Sequence, residues 1–224
     1  MARDTLTRAQ IVQAASDLLD AEGLEGLNMR ALGQLLGSAA TAVYWHVGSK
    51  ENLLALAGDQ AWNEIPLPDW EATGWREAIR QMAAGLRAML ARHPWLLQAL
   101  GSFLVFGPGK ARHDDHGLAI LEAAGFNAAQ ADQAAAIVFC YVLGNALGPA
   151  AAASLARKID REGPDAAQLV RENLQRAKQI AGQYPRLRSR LETSQAETSE
   201  PPEGSFEIGL DAILDGLERR LSRG

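Results

Sequence analysis

The sequence has little cysteine, little proline and no long apolar run, and each shortage excludes a class of protein. Its single cysteine, Cys140, excludes a disulfide framework and a metal site built from cysteines alone. Nine prolines against 41 alanines in 224 residues favour helices over sheets. The most apolar stretches, 95–106 and 134–143, are too short or too interrupted to span a membrane, and the N-terminus lacks the apolar run of a secretory signal. We therefore expect a cytoplasmic protein without a membrane segment.

Positive charge is also in short supply. The chain carries 22 lysines and arginines against 27 acidic residues, which gives a net charge of −5. Acidity of this kind argues at first against nucleic acid as a partner. The 47% of hydrophobic and 22% of charged residues are ordinary globular values, so general disorder is excluded.

Apolar residues recur at helical spacing almost throughout, and no stretch alternates with period two for long. The pattern predicts an all-α protein with helices over 7–22, 28–36, 40–46, 49–64, 74–92, 95–100, 110–125, 128–147, 164–184 and 206–222. The Pro-rich turn at 66–69 marks the boundary between a domain of residues 1–64 and a larger domain of residues 65–224. Residues 189–205, rich in Ser, Thr, Glu and Pro, predict a mobile loop.

Two short predicted helices, 28–36 and 40–46, are separated by a tight turn at Gly37. This is the spacing of a helix-turn-helix, whose second helix enters the major groove of DNA. Hydroxyl groups, backbone amides at helix starts and basic side chains are the groups that hold phosphates in such motifs. The N-terminal domain is therefore predicted to bind DNA.

The motif from Tyr44 to Val47, Tyr-Trp-His-Val, followed by 50–54, Lys-Glu-Asn-Leu-Leu, resembles the DNA-binding domain of the tetracycline-repressor (TetR) family, closest to the tetracycline repressor's own subgroup. The first predicted helix matches too, so the resemblance covers about residues 7–60. It implies that the larger helical domain binds a ligand and dimerises. It further implies a repressor that binds a palindromic operator as a homodimer and is released by a small apolar or aromatic effector, with no cofactor.

The resemblance assigns eight residues to DNA, with Tyr44 and Lys50 on phosphates and the start of the second motif helix on base edges. The expected contacts are Arg30, Ala40, Thr41, Ala42, Tyr44, Trp45, His46 and Lys50. Outside this motif, Tyr44 and Trp45 would more often be packing residues, Lys50 a solvated charge and Arg30 a partner for an acid of the first helix. Ala39 also predicts a weak cap for the second motif helix, a loss of about 1 kcal/mol.

The resemblance implies an effector pocket among the helices of the second domain, with apolar walls and a few polar points. For any single aromatic residue there, packing in the helical core is the alternative. The expected lining residues are Trp95, Phe103, Phe106, His113, His116, Phe139 and Asn145. The His113-x-x-His116 spacing would also suit a metal, but a solvated charged cluster near a helix start explains it as well, and no metal site is predicted. By resemblance, the last helix and the helix over 128–147 form the dimer interface through Ala131, Ala135, Val138, Leu210, Ile213 and Leu217.

Two other function classes stay open at this point: an all-helical enzyme and a helical interaction protein that does not bind DNA. The chain has no Gly-x-Ser-x-Gly, His-Glu-x-x-His or phosphate-loop motif, which disfavours the enzyme. Residues 1–52 hold four basic against six acidic side chains, so DNA binding would rest on few full charges. The sequence thus predicts weak nonspecific binding and a shallow salt dependence.

Overall fold

A computed structural model of the chain describes residues 6–103, 105–193 and 204–222, which contain twelve α-helices and no strand. The helices are α1 (Arg8–Gly26), α2 (Met29–Leu35), α3 (Ala40–Val47), α4 (Lys50–Trp62), α5 (Trp70–Thr73), α6 (Trp75–Arg92), α7 (Trp95–Ser102), α8 (Pro108–Ala123), α9 (Ala128–Glu162), α10 (Pro164–Ala181), α11 (Pro185–Thr193) and α12 (Ser205–Leu221). The all-α fold predicted from the apolar periodicity is confirmed.

Local capping signals determine where the N-terminal helices begin. Thr7 and Gln10 form a capping box at the start of α1. The Asn28 side chain accepts a backbone N–H at 2.7 Å to begin α2, and Ser49 caps α4 in the same way. Gly23, with a φ of 74°, interrupts the regular helix of α1 at the predicted stop.

Helix α4 is buried between the N-terminal and C-terminal helices, because it packs against α1 on one side and α8 on the other. Its buried residues are Leu53, Leu54, Ala57, Gly58, Ala61 and Trp62. At Gly58 an added Cβ would lie 2.3 Å from Val105 Cγ1, so the missing side chain is what lets the C-terminal domain approach this closely. The two halves of the chain consequently share one apolar core.

Helices α6, α8 and α9 pack on one another to form the body of the C-terminal domain. Helix α12 lies along α9 and turns its buried face inward, through Phe206, Leu210, Leu214 and Leu217. Its acidic face meets α6, where Arg76 contacts Asp215 at 2.5 Å and Glu218 at 3.1 Å. The last helix is therefore held to its own chain by both apolar and ionic contacts.

Three elements differ from the prediction. The helix expected to end at 147 continues through Pro149 to Glu162, since a proline removes only one backbone donor and the alanines that follow favour helix. The one-turn helix α5, capped by Asp69, was not predicted. Helix α11 occupies 185–193, where the loop was expected from 189 onward; the rest of that predicted loop, 194–203, lies outside the described residues.

The unexpected length of α9 changes one property of the chain. By length and composition α9 could cross a membrane, with a mean hydropathy of 1.6 over its most apolar window, of which 22% is buried. Long core helices of globular proteins meet the same criterion, so it is weak support for a membrane span. What it does establish is a largely exposed apolar surface along α9.

Candidate nucleic-acid interface and effector cavity

The turn between α2 and α3 depends on two glycines. At Gly33 an added Cβ would lie 2.9 Å from the Ser38 carbonyl oxygen and 3.0 Å from the Ala40 nitrogen, so the two helices cross at a distance that only glycine allows. Gly37 follows with a φ of 60°, in the left-handed region. The backbone N–H of Ser38 then donates to the Gly33 carbonyl at 2.8 Å and closes the turn. This is the geometry of a helix-turn-helix.

Helix α3 divides its side chains between the core and the surface. Val43 and Val47 are buried, whereas Thr41 is exposed, Tyr44 is 46% exposed and Trp45 is 83% exposed. A tryptophan this exposed is not a core residue, so packing does not explain the ring. Its ring contact in the described chain is the edge of His46, 4.9 Å away between centroids. The outer face of α3 thus presents hydroxyl, indole and imidazole groups together.

Two cations flank this face, and the described residues offer them no ion pair. Arg30 is exposed on α2, and Lys50 is half-buried at the first turn of α4. The ion pairs of the described chain involve neither of them, which leaves both available to phosphates. The alternative in which Arg30 pairs with an acid of the first helix is therefore not what the structure shows.

A cavity of about 290 Å³ lies between α6, α8 and α9, close to the lower end of the roughly 300–1,000 Å³ usual for ligand pockets. Its walls are mostly apolar, with polar groups at one side. The lining residues are Ile79, Met82, Ala83, Leu86, Lys110, His113, Asp114, Gly117, Leu118, Leu121, Asp132, Ala135, Ala136, Val138 and Phe139.

The polar side of the cavity is formed by the first turns of α8. Lys110 Nζ lies 2.5 Å from Asp114 and sits over the rings of Trp62 and Phe139, at 5.0 and 5.4 Å from their centroids. Burial raises the pKa of Asp114, but His113 and Lys110 outweigh it and hold that pKa below its usual value. Both ring nitrogens of His113 are buried and make no hydrogen bond to the described residues, which is unusual for a buried imidazole; the Nδ1 atom lies 3.7 Å from Asp114 Oδ1.

Of the seven residues expected to line the pocket, His113 and Phe139 do so. Phe106 lies nearby, with its centroid 5.7 Å from Lys110 Nζ, and Phe103 is exposed at the end of α7. His116 instead donates its Nε2 N–H to the Pro68 carbonyl at 2.9 Å, away from His113. The two histidines thus have different neighbours rather than a shared ligand.

Trp95 and Asn145 are the other two residues that the structure places elsewhere. Trp95 is buried against the N-terminal domain, because its Nε1 donates to Asp20 at 2.8 Å. Asn145 donates to the Tyr141 carbonyl within α9 at 2.9 Å. Neither is among the residues that line this cavity.

The residues expected at the dimer interface face the inside of their own chain. Ala131, Val138, Leu210 and Leu217 are buried there, while Ala135 lines the cavity and Ile213 packs against the core. They face inward because α9 and α12 pack against each other, and α9 also against α6.

Helix α4 touches the polar side of the cavity directly. The Trp62 ring lies 5.0 Å from the His113 ring and 6.3 Å from that of Phe139, centroid to centroid. The Asp59 side chain accepts the backbone N–H groups of Gly109 at 2.7 Å and Lys110 at 3.3 Å, and so caps α8 from a neighbouring helix. Asp59 and Trp62 were missed from sequence; the only local signal was the Gly-Pro-Gly at 107–109, where glycine lets α8 begin close to Asp59.

Two family models match the chain. One, described as bacterial regulatory proteins of the tetR family, matches residues 11–57, and one for the tetracyclin repressor-like C-terminal domain matches residues 67–221. A HTH-type transcriptional regulator of Saccharopolyspora erythraea is 39% identical over 140 residues, 62% of this chain and 59% of that protein's length. The HTH-type transcriptional repressor DrrR1 of Streptomyces coeruleorubidus is 33% identical over 219 residues, covering 96% of this chain and 78% of DrrR1.

Solved structures show the same architecture. Apo ActR from Streptomyces coelicolor has a TM-score of 0.74 at 26% identity, with 99% of each chain covered. ActR in complex with actinorhodin has a TM-score of 0.70 at 28% identity, with 96% of this chain and 98% of ActR covered. An exposed helix-turn-helix on an all-α body with a ligand-sized cavity defines a DNA-binding transcriptional regulator. The chain belongs to the TetR family of bacterial regulatory proteins, which confirms the family inferred from residues 7–60 and excludes the enzyme alternative.

The weak cap predicted for α3 is present in the structure, since Ala39 makes no side-chain hydrogen bond there. Replacing it, Ala39→Ser, supplies an oxygen for a free N–H of the first turn, so we expect the free energy of unfolding to rise by about 1 kcal/mol in urea titrations. The matched control is Ala119→Ser, at an exposed position inside α8, where serine lowers stability slightly. Equal effects of the two substitutions would contradict the capping argument.

Proposed function

We propose that this chain is a ligand-responsive repressor that binds a palindromic operator as a homodimer and releases it when a flat aromatic effector fills the cavity. Residues 1–64 read the DNA and residues 65–224 bind the effector and dimerise, in the cytoplasm and without a membrane. The observation that carries the proposal is that α4, which follows the recognition helix α3, also forms contacts with the polar side of the cavity.

Operator contact is proposed for the exposed face of α3 and its two flanking cations. Tyr44 and Lys50 are placed to hold phosphates, while Thr41 and the methyl groups of Ala40 and Ala42 read bases. No side chain of α3 can form the bidentate hydrogen bonds that arginine, asparagine or glutamine make to a base, so sequence-dependent DNA shape contributes to specificity. Arg30 of α2, the exposed ring of Trp45 and the half-buried ring of His46 complete the surface.

Loss of Tyr44 or Lys50 should weaken operator binding in distinguishable ways. Tyr44→Phe removes a hydroxyl, and we expect at least a tenfold rise in Kd for an operator selected by the protein from random-sequence DNA. Lys50→Met should also reduce the slope of log K against log salt by about two per dimer, one for each subunit.

The control for charge is Lys158→Met, an exposed lysine of α9, which should leave both quantities unchanged. A parent slope near −10, as expected for many phosphate contacts, would contradict the shallow dependence predicted from the charge count.

Dimerisation is proposed through the exposed faces of α9 and α12. On α9 these include Ile137, Cys140, Gly144 and Leu147, spaced three and four residues apart. On α12 Ile208 is 72% exposed. An added Cβ at Gly144 would meet nothing within 4 Å, so a partner helix has room to approach. Two such helices from each subunit would bury apolar surface that one chain leaves exposed, and a twofold dimer suits a palindromic operator.

Placing a carboxylate on this face should separate the subunits. Ile208→Asp would bury two unpaired charges in the interface, so we expect sedimentation at micromolar concentration to change from a dimer to a monomer of 24.0 kDa. Leu35→Asp adds the same charge at an exposed leucine of α2 and should remain dimeric. If both variants sediment alike, the interface lies elsewhere.

An aromatic effector is supported by the apolar walls of the cavity and by the rings of Phe139, Trp62 and His113 on its polar side. The unpartnered nitrogens of His113 can bond a ligand hydroxyl or carbonyl. The structural neighbour ActR is known in complex with actinorhodin, which makes that compound a reasonable probe. A ligand that displaces His113 or the start of α8 would move α4 through Trp62 and Asp59.

Removing the Asp59 link should separate ligand binding from DNA release. We expect saturating actinorhodin to weaken operator binding at least tenfold in the parent, about 1.4 kcal/mol of coupling, and less than threefold in Asp59→Ala. Tryptophan quenching should show that both proteins still bind the compound. The control is Asp115→Ala, which removes an exposed acid of α8. Its operator binding should respond to actinorhodin like that of the parent. Full release in Asp59→Ala would show that the signal travels by another route.

A further inference from the structure

A buried histidine joins the two domains. His93 lies between α6 and α7 and is 6% exposed. Its Nδ1 is 2.8 Å from Asp20 Oδ1 on α1, and its Nε2 is 3.1 Å from Glu64 Oε1, two residues after α4. Both carboxylates belong to residues 1–64, whereas His93 belongs to residues 65–224. One imidazole therefore spans the proposed domain boundary with both of its ring nitrogens.

Only the protonated ring can satisfy both acids. The imidazolium has two N–H donors, whereas the neutral ring has one donor and one lone pair, which would face a carboxylate oxygen. The Asp20 oxygen also accepts the Trp95 Nε1 N–H at 2.8 Å, so it keeps one partner when the proton leaves. Glu64 keeps Arg92, whose Nε and Nη2 lie 3.0 and 2.9 Å from its other oxygen. Loss of the proton thus removes one of the two hydrogen bonds of His93 without leaving either acid unpaired.

The groups around His93 favour its protonated form. Hydrogen bonding to Asp20 raises the pKa of His93 above its usual value against the opposing effect of burial, and Glu64 raises it further. The charged groups around the ring are Asp20 on α1, Glu64 after α4 and Arg92 at the end of α6. Helix α7 contributes the neutral Trp95, and α9 brings Arg157 against Gly23, near the end of α1.

We propose that His93 is a proton-dependent positioning residue, whose imidazolium binds Asp20 and Glu64 and so fixes the recognition helix relative to the effector cavity. Because its pKa is raised on folding, this contribution is complete below the unfolded value of about 6.5 and is lost as the pH rises through the higher folded value. Above that pH, operator binding weakens, since two recognition helices must keep a fixed separation to enter successive grooves. The weakening of operator binding rests on the proposed function, whereas the contacts of His93 with Asp20 and Glu64 do not.

The test compares the full chain with its His93→Gln variant, so that every other titratable group is the same in the two proteins. Three quantities are followed from pH 6 to 8.5. They are the urea unfolding constant, the distance between spin labels at Gln34→Cys and Glu122→Cys in a Cys140→Ser background, and the Kd for the selected operator. In the parent we expect the unfolding constant to rise severalfold more than in His93→Gln. The label distances should broaden and the Kd should rise three- to tenfold in the parent alone.

The same pH dependence in both proteins would overturn the proposal. If His93→Gln does not fold, NMR titration of the four imidazoles in the parent decides, and a His93 that titrates at or below about 6.5 overturns it. If the unfolding constant and the label distances respond to pH but the operator Kd does not, the proton-dependent contacts of His93 with Asp20 and Glu64 are supported. That result would overturn the proposed control of the recognition helix, whereas a chain that selects no operator at any pH would count against the proposed function instead.

Discussion

Helix α4 packs against helices of both domains, and this constraint organises the rest of the molecule. Its buried side packs on α1, while Asp59, Trp62 and Gly58 contact residues of the C-terminal domain. Close-packed interiors deform little, so a displacement of α8 or of the cavity wall must either be absorbed at Gly58 and Trp62 or be passed on through α4. Because α4 follows directly after α3, the part that is passed on reaches the surface proposed to read DNA.

An acidic protein can present a DNA-binding face because charge acts locally. Arg30 and Lys50 flank α3 without ion pairs in the described chain, whereas one acid of α1, Asp20, is engaged by His93 and Trp95. The positive electrostatic potential that Arg30 and Lys50 create beside α3 is still small. Beside Lys50, the backbone amide of Glu51 and the Ser49 hydroxyl hold the pKa of Glu51 below its usual value, so this carboxylate stays ionised. Hydroxyl and backbone donors must therefore supply much of the phosphate binding.

The fold and the recognition helix were predictable from the sequence because their signals are local. Caps at Thr7, Asn28 and Ser49, and a turn glycine at 37, are legible within four residues of each helix end. The sequence could not predict which way the side chains of the C-terminal domain point. Helix α9 carries apolar residues around most of its circumference, so periodicity could not tell which face meets α6, which meets α12 and which stays exposed. The inward placement of Val138 and the exposure of Ile137, one residue apart, could be settled only by packing.

The same limit explains why the contacts that join the domains were missed. Asp59 and Gly109 are 50 residues apart in sequence and Asp20 and His93 are 73 apart, and an isolated Asp or His carries no sign of a distant partner. These few contacts suffice energetically. Allosteric coupling is usually about 1–3 kcal/mol, and a hydrogen bond to a charged group contributes about 1.5–3 kcal/mol. The exposed pair of Arg161 and Glu25, a further link from α9 to α1, adds at most about 1 kcal/mol. In the mechanism proposed above, control of the recognition helix rests on Asp59, which would respond to the cavity, and on His93, which would respond to the proton.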